Sequence, residues 1–233
     1  MDNAESLNQP GCGCDCADAP FSAARVLTVD PLHPDAGAIA WAASCITRGG
    51  LVVFPTETFY GLGGDPWQLA AVERIFRIKE RDMRKPLPLI AADDAAVRQV
   101  AARWPGVADV LARAFWPGPL TLVLAASHLL PPALHAHTGK IAVRVSSHAV
   151  AQKLAAAVGG LLISTSANLS GRPPCRHPDE LGGELLSQVD RVLHAGPTVG
   201  GQPSTLVDVT VHPAQLVREG AIGWERIEAV LSW

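Results

Sequence analysis

Short apolar runs alternate with longer segments of helical spacing from residue 34 to the end of the chain. Runs of strand length predict strands at 51–54, 86–92, 120–126, 141–145, 161–165, 191–195, 204–209 and 215–220. Apolar residues at helical spacing predict helices at 34–50, 93–103, 106–115, 147–158, 178–187 and 224–231. This interleaving predicts an α/β fold, with a twisted, mixed β-sheet flanked by helices and a concave ligand cleft.

The stretch LVVFPTETFYGLGG at 51–64 places polar residues where a buried strand ends. Two threonines flank Glu57 there, and a glycine turn is predicted to follow. Ligands bind at strand ends in open α/β sheets, so this position is a candidate site. Beyond the glycines, Asp65 is predicted to cap a helix whose first residue is Pro66.

Residues 1–34 are rich in Cys, Pro, Gly and Asp. This composition predicts an N-terminal extension, which we expect to be mobile. Within it, 24–30 could add an edge strand. Three of its cysteines are closely spaced, Cys12, Cys14 and Cys16. This C-x-C-x-C run could hold a soft metal, but no second ligand pair is evident, which favours a simple tail. Residues 35–233 are predicted to form one domain.

Composition narrows the class of protein. Hydrophobic residues make up 48% and charged residues 18% of the 233, which is ample for a packed core. The net charge of −3 disfavours a protein that lives on duplex nucleic acid. No apolar run reaches the ~18 residues of a membrane helix, and no signal-peptide pattern begins the chain. We therefore expect a cytosolic protein with reduced cysteines and no membrane partner.

Basic residues are concentrated where the helix after residue 65 is predicted to end and in the following loop. They are Arg74, Arg77, Lys79, Arg81, Arg84 and Lys85. A solvated helix face accounts for Arg74 and Arg77 as well as a function does. The others lead into an apolar strand with few acids nearby, which suits a polyanion such as a triphosphate.

Polar residues also interrupt other predicted strands. The run at 161–165 opens into hydroxyl and amide side chains, namely Ser164, Thr165, Ser166, Asn168 and Ser170. That pattern fits either a self-bonded turn or a phosphate or ribose site. Arg144, Ser204 and Arg218 each accompany an apolar strand, which indicates a shared concave site.

Standard nucleotide and hydrolase motifs are missing from the sequence. It contains no Walker phosphate loop, no dinucleotide glycine fingerprint, no G-x-S-x-G elbow and no kinase signature. Any ATP would therefore be held by side chains rather than by a standard glycine cradle. Pattern and composition alone predict a cytosolic α/β domain with an anion-binding cleft.

Taken together, several stretches resemble the YrdC-like threonylcarbamoyl-AMP synthases of tRNA modification, in their short single-domain branch. The matching pieces are FPTETFYGLG, IFRIKER followed by KPL, FWPGPLT, IAVRV, STSANLSG, PSTLVD and VREGAI. Their order and spacing match the family from residue 37 to about 223. The joint K-x-R and S-x-N signature, with P-T-E-T upstream, makes the resemblance specific.

The resemblance implies a nucleotidyltransferase that makes threonylcarbamoyl-AMP and pyrophosphate from L-threonine, bicarbonate and ATP, with Mg²⁺ expected. Other proteins then transfer the threonylcarbamoyl group to adenosine 37 of tRNA. A carbamate oxygen of threonine would attack the α-phosphorus of ATP. Positioning and fixed positive charge can support that step, so no protein nucleophile is assigned. We expect weak or no direct tRNA binding.

The resemblance also assigns residues to the two substrates. It implies ATP binding by Lys79, Arg81, Ser166, Asn168 and Arg218. It implies threonine binding by Thr56, Arg144, Ser164 and Ser204. Glu57 receives no role beyond capping the following turn, and no metal ligand is assigned.

The sequence departs from the family pattern at a few positions. Asp82 follows K-x-R where proline is frequent, Lys140 stands where threonine is common, and 90–92 lacks a histidine found in some members. Three other functions remain open. The first is the similar domain of hydrogenase-maturation carbamoyltransferases, but 233 residues leave no room for the modules that accompany it there. The second is a non-catalytic RNA-binding module. The third is a paralogue without synthase activity.

Overall fold

The computed structural model describes residues 25–232. The strands are β1 (Val26–Thr28), β2 (Val52–Phe54), β3 (Gly61–Gly63), β4 (Leu89–Ala91), β5 (Leu120–Ala125), β6 (Lys140–Val145), β7 (Leu161–Ile163), β8 (Thr165–Ser166), β9 (Arg191–His194), β10 (Thr205–Asp208) and β11 (Gln215–Arg218). The helices are α1 (Ala36–Thr47), α2 (Leu69–Ile78), α3 (Asp94–Val100), α4 (Gly106–Phe115), α5 (Ala149–Ala157), α6 (Gly183–Gln188) and α7 (Trp224–Leu231). Within residues 25–232, no helix combines the length and the apolarity needed to cross a membrane.

The α/β class is confirmed, but the strands form two mixed sheets rather than the one expected. The first sheet has five strands in the order β1-β9-β2-β3-β8. The second has six strands in the order β11-β10-β5-β6-β4-β7. Parallel and antiparallel pairs occur in both sheets. The chain passes from the second sheet to the first at Ser164, which separates β7 from β8.

Alternate residues of β2, and Leu51 just before it, are buried on opposite faces of the first sheet. Leu51 and Val53 join one core cluster, which also contains apolar residues of α2. Val52 and Phe54 join a second cluster with the apolar residues of α1 and α5. A strand covered on both faces reads as an unbroken apolar run, which is why LVVF shows no polar alternation.

The glycine stretch at 61–63 is strand β3 and not the predicted turn. The chain segments on either side of β3 explain why glycine occurs at 61 and 63. A Cβ on Gly61 would lie 3.1 Å from both the Phe54 ring and Ser164 Oγ, and one on Gly63 would lie 2.4 Å from the Ile163 carbonyl oxygen. Glycine therefore lets β3 lie close to the neighbouring chain segments, where a side chain would separate them.

The predicted helix after residue 65 begins later than expected. Its first helical residue is Leu69 and its N-cap is Gln68. Asp65 instead accepts a hydrogen bond from the Trp67 backbone N–H at 2.9 Å, so it closes a turn before the helix. A short polar side chain competes in this way with helix formation by bonding its own neighbours.

The predicted helix at 178–187 is divided in two. A short 3₁₀ turn spans Pro178–Glu180, and α6 begins after Gly182. Leu181 and Gly182 have extended backbone geometry, which ends the first turn before the second helix starts. The low helix propensity of glycine is consistent with a break at this position.

The N-terminal boundary also differs in detail from the prediction. β1 pairs in parallel with β9, with Val26 opposite Val192 and Thr28 opposite His194. The edge strand allowed for 24–30 is therefore present, and part of 1–34 belongs to the fold. The cysteine run at 12–16 lies outside the described residues, so its mobility stays a prediction.

The close approach at β3 predicts an intolerance to side chains. Gly63→Ala would force its Cβ against the Ile163 carbonyl and the Phe54 ring, at 2.4 and 2.6 Å. We expect the free energy of unfolding to fall by about 1–3 kcal/mol, as for other overpacked sites. Gly106→Ala is the control, because nothing lies within 4 Å of its Cβ position. Equal stability of the two variants in urea titrations would contradict this account of β3.

Candidate functional site

A cleft of about 750 Å³ is lined by residues from both sheets and from the loops that leave them. Many of the residues assigned by resemblance lie in its wall. They are Thr56, Arg81, Arg144, Ser164, Ser166, Ser204 and Arg218. These residues are far apart in sequence, and the fold brings them together around one space. Lys79 and Asn168 are not part of this wall.

Ser204 is the point on which the basic side chains of the cleft converge. Its hydroxyl oxygen lies 3.3 Å from Arg144 Nη1 and 3.3 Å from Arg218 Nη2. Thr121 Oγ1 donates to the same oxygen at 2.8 Å. Three donors exceed the two lone pairs of a hydroxyl oxygen, so at least one donor is available to a ligand oxygen. Two guanidinium groups so close together favour an anion between them.

The loop that carries Ser204 is held by hydrogen bonds to its backbone carbonyl groups. Arg218 Nη2 donates to the Ser204 carbonyl oxygen at 2.8 Å, and the Ala221 N–H donates to the Pro203 carbonyl oxygen at 2.8 Å. A Cβ on Gly220 would lie 2.1 Å from the same Pro203 oxygen. Glycine at 220 therefore allows the end of β11 to fix the position of the hydroxyl.

Burial makes the charged form of two cleft arginines less favourable. Burial, followed by the charge of Arg144, lowers the pKa of the Arg218 guanidinium. Burial likewise lowers the pKa of Arg81, and the neighbouring Asp82 opposes that shift. Both side chains remain cationic because the guanidinium pKa starts so high. A bound anion would offset the cost of holding these charges away from water.

Arg144 lies on β6 with 9% of its surface exposed, and it forms an ion pair with Glu57. The Arg144 Nε atom is 3.0 Å from Glu57 Oε1, although the two are not aligned as a hydrogen bond. Ser146 Oγ donates to the other carboxylate oxygen of Glu57. The expectation that Glu57 caps the next turn is therefore wrong, because its carboxylate faces Arg144 and Ser146.

The two threonines beside Glu57 are tied into their own turn. Thr56 Oγ1 donates to the Phe59 carbonyl oxygen at 2.6 Å and accepts from the Thr58 N–H at 3.2 Å. Both threonines line the cleft, and their hydroxyl oxygens lie 3.1 Å apart. Thr56 thus shapes the wall of the cleft, and its oxygen is already engaged within the turn.

Lys79 is buried beside the cleft, at the C-terminal end of α2. Its Nζ donates to the carbonyl oxygens of Ser166 and Asn168 at 2.5 and 2.7 Å, and to Asn168 Oδ1 at 3.1 Å. An ammonium group has three hydrogens, so all of them are in use. To bind a phosphate, Lys79 would have to exchange at least one of these contacts. In the described state it fixes the S-x-N segment to the helix.

Several cleft residues escaped the sequence reasoning. Thr121 and Arg176 line the cleft, and Arg176 Nη2 donates to the Val199 carbonyl oxygen at 2.9 Å. Thr121 stands inside an apolar strand, where a lone threonine is unremarkable. Arg176 follows a proline-rich loop with no periodic pattern. Neither residue carried a local signal, because only the approach of distant strands places them here.

The two charged departures from the family pattern are paired away from the cleft wall. Asp82 binds Arg84 at 2.8 Å, and that hydrogen-bonded guanidinium lowers the pKa of the carboxyl to about 2. Lys140 Nζ binds Asp208 Oδ2 at 2.9 Å. Neither carboxylate lines the cleft, so neither opposes the binding of an anion there.

One group of possible metal ligands is present among residues 25–232. Ligand atoms of His177, Asp179 and His194 lie within 4.8 Å of one another. Each histidine Nδ1 accepts a backbone N–H, from Asp179 and from Gly196 respectively. These bonds place the ring proton on Nε2 in the neutral form, which leaves no free lone pair there for a metal. We assign no metal to this group.

The family comparison agrees with the geometry. The sequence profile of the Sua5/YciO/YrdC family, described as telomere recombination, matches residues 44–220. A threonylcarbamoyl-AMP synthase of Pyrococcus abyssi is 37% identical over 190 residues, covering 82% of this chain and 56% of that protein. One of Stenotrophomonas maltophilia is 39% identical over 171 residues, covering 72% of this chain and 91% of that protein. This chain thus spans little more than half of the Pyrococcus relative.

A solved structure shows the same fold. The crystal structure of P. abyssi Sua5 complexed with L-threonine matches with a TM-score of 0.85 at 35% identity. The match covers 88% of this chain and 60% of that one. The shared fold therefore extends over most of this chain.

The environment of Lys79 predicts an unusual titration. Burial, and then the charge of Arg81, lower its pKa from 10.5 to about 8, although its three oxygen acceptors favour the charged form. We expect NMR of labelled lysine side chains, assigned with Lys79→Arg, to show ionisation near pH 8. In the unfolded chain Lys79 keeps its proton up to about pH 10.5. The free energy of unfolding should therefore increase as the pH rises from about 8 to 10.5. Titration at the ordinary value would refute the shift.

Proposed function

The chain belongs to the Sua5/YciO/YrdC family, and on this basis we propose that it makes threonylcarbamoyl-AMP and pyrophosphate from L-threonine, bicarbonate and ATP. Its relatives of that name are 37% and 39% identical. The observation that carries the proposal is the convergence of Arg144 and Arg218 on Ser204 within a cleft that also contains Arg81. The reaction must hold several anions together, and such a cleft suits that task.

Threonine is proposed to occupy the part of the cleft around Arg144. The Nη atoms of Arg144 would bind the carboxylate, with the Ser204 hydroxyl beside them. Thr56 and Ser164 would line the same subsite. Support comes from the related P. abyssi structure, which was solved with L-threonine bound.

ATP is proposed to occupy the part of the cleft around Arg81 and Ser166. Arg81 Nη2 now donates to the Pro86 carbonyl oxygen at 2.9 Å, which holds its guanidinium at the wall. Ser166 and Asn168 would border the nucleotide, and Arg218 would lie between the two substrates. Lys79 would reach a phosphate after exchanging a carbonyl contact, and otherwise supports the S-x-N segment.

Catalysis in this arrangement depends on position and charge. The carbamate formed from the threonine amine would direct an oxygen at the α-phosphorus, and pyrophosphate would leave. Arginine side chains held before the reaction can bind the charge that develops on the leaving group. Holding both substrates in one cleft makes the attack effectively unimolecular. No side chain has to act as a nucleophile.

A resident magnesium site does not fit the cleft wall. None of its lining residues, all within the described part of the chain, is Asp or Glu. Protein sites for Mg²⁺ usually provide one or two carboxylates in addition to substrate phosphates. We therefore propose that Mg²⁺ enters with ATP, bound by phosphate oxygens, while the arginines and hydroxyls hold the nucleotide.

The product would serve other proteins, which transfer the threonylcarbamoyl group to adenosine 37 of tRNA. We propose the cytoplasm as the place of action, consistent with the free, buried thiols of Cys45 and Cys175. Direct tRNA binding should be weak and strongly dependent on salt, since the net charge is −3. Tight tRNA binding that ATP does not weaken would favour an RNA-binding module instead.

The first test of the reaction is its requirement for each substrate. Pyrophosphate release from ATP should need both threonine and bicarbonate, because the carbamate is the attacking group. Serine should react more slowly, since an apolar pocket gains ~1–3 kcal/mol from one additional methyl group. The measurement is a coupled pyrophosphate assay with each substrate omitted in turn. Equal release without threonine would rule out the proposed reaction.

The second test separates the two subsites with one chemical change. Arg144→Lys and Arg81→Lys both keep a positive charge and lose the planar fork that binds two oxygens. Arg144→Lys should weaken threonine binding by about tenfold and leave ATP binding unchanged. Arg81→Lys should do the reverse. Calorimetric titration of each variant with each ligand alone measures the threonine and ATP affinities.

Arg84→Lys is the matched control for this pair. Arg84 lies in the same basic loop, but it binds Asp82 and does not line the cleft. Its replacement should alter neither affinity. If Arg144→Lys loses ATP binding and keeps threonine binding, the two substrates occupy the opposite parts of the cleft.

A further inference from the structure

We propose that Glu57 is a positioning residue, which orients the Arg144 guanidinium so that its two Nη groups face the bound carboxylate. The inference rests on the proposed function, because it concerns the threonine subsite. It gives a function to Glu57, which received no substrate from the family resemblance and is not among the residues that line the cleft. Glu57 does not line the cleft, so its carboxylate acts through Arg144.

The geometry separates the two edges of the guanidinium. Glu57 Oε1 lies 3.0 Å from Nε of Arg144, on the edge nearer the backbone. Nη1 points to Ser204 Oγ on the cleft side, at 3.3 Å. Although Nε and Oε1 are not aligned as a hydrogen bond, the attraction between the two buried charges at this distance restricts rotation of the guanidinium, and its Nη groups are left for a ligand. A carboxylate bound by both Nη atoms requires the guanidinium plane to be set.

Glu57 is itself held in place by the backbone. The His148 N–H donates to Ser146 Oγ at 3.2 Å, so the Ser146 hydroxyl hydrogen is directed to Glu57. Ser146 is fully buried and stands directly after β6, the strand that carries Arg144. The relay runs from the start of α5 through Ser146 and Glu57 to Arg144. It therefore ties the arginine to a rigid part of the fold.

Two opposite effects of Glu57 on threonine binding can be distinguished. Its negative charge reduces the attraction of Arg144 for an anion, so removal of the charge alone would tighten threonine binding. Its orienting role has the opposite sign, since a guanidinium free to rotate loses entropy when it binds. Both side chains are only 11% exposed, so solvent screens neither effect strongly. The charge effect alone predicts tighter binding after its removal, so a loss of threonine affinity would identify the orienting effect.

The test uses Glu57→Gln, which keeps the shape of the side chain and removes its charge. We expect the dissociation constant for threonine to rise by about tenfold or more, with that for ATP unchanged. Unchanged or tighter threonine binding by the folded variant would overturn the proposal. Equal losses for both ligands, with a lower melting temperature, would indicate a merely structural role and would overturn it too.

Asp208→Asn is the matched control. It removes the carboxylate of the Lys140 ion pair, four residues before Arg144 on the same strand. This pair does not touch the cleft wall, so threonine binding should not change. If Glu57→Gln does not fold, Ser146→Ala takes its place, because it loosens Glu57 and keeps the charge. Its loss of threonine affinity should be smaller and in the same direction, and no loss would count against the proposal.

A measurement without ligand separates this inference from the proposed function. The Arg144 Nε–H, assigned in labelled protein with Arg144→Lys, should exchange slowly with water in the parent chain. In Glu57→Gln or Ser146→Ala this hydrogen should exchange faster, while the exchange rate of the exposed Arg84 Nε–H stays the same. Equal Arg144 exchange in parent and variant would overturn the positioning role. If instead the parent chain binds no threonine, the proposed function fails and the exchange result still stands.

Discussion

The passage of the chain between the two sheets at Ser164 is the constraint on which the cleft depends. The Ser164 N–H donates to the Pro88 carbonyl oxygen at 2.8 Å, beside the second sheet, and β8 then pairs with β3 in the first. This crossing requires β3 to lie against both β2 and the end of β7; a side chain would be tightly packed at 61 and would clash at 63. Each sheet contributes one wall, so residues from distant parts of the sequence face each other.

Within that space, positive charge is concentrated although the whole chain carries a net charge of −3. The cleft wall contains several arginines and no carboxylate among the described lining residues. Glu57 is the carboxylate that faces Arg144, and it stands behind the wall where it can orient the arginine without occupying the ligand site. The overall charge therefore says little about the site, because the described residues that line the cleft include arginines and no acidic side chain.

Most elements were predictable because their signals are local. The apolar runs for β5 and β6 and the spacing for α4 needed no tertiary information. The failures share a cause. Two of the three residues of β3 are glycines, which have poor strand propensity, and it is a strand because its neighbours approach closely. The start of α2 moved to Leu69 because Asp65 bonded to a nearer backbone group.

Contiguous motifs in the sequence were enough to indicate the fold class, the family and many of the polar side chains that line the cleft. The tertiary structure decided what each side chain can reach. The motif marks Lys79 as a candidate phosphate ligand, and the fold adds that its ammonium donates to oxygens of Ser166 and Asn168 in the described state. Glu57 looked like a turn cap, but it faces Arg144, which lies far along the chain. Such contacts join residues distant in sequence, and no local pattern encodes the distance between them.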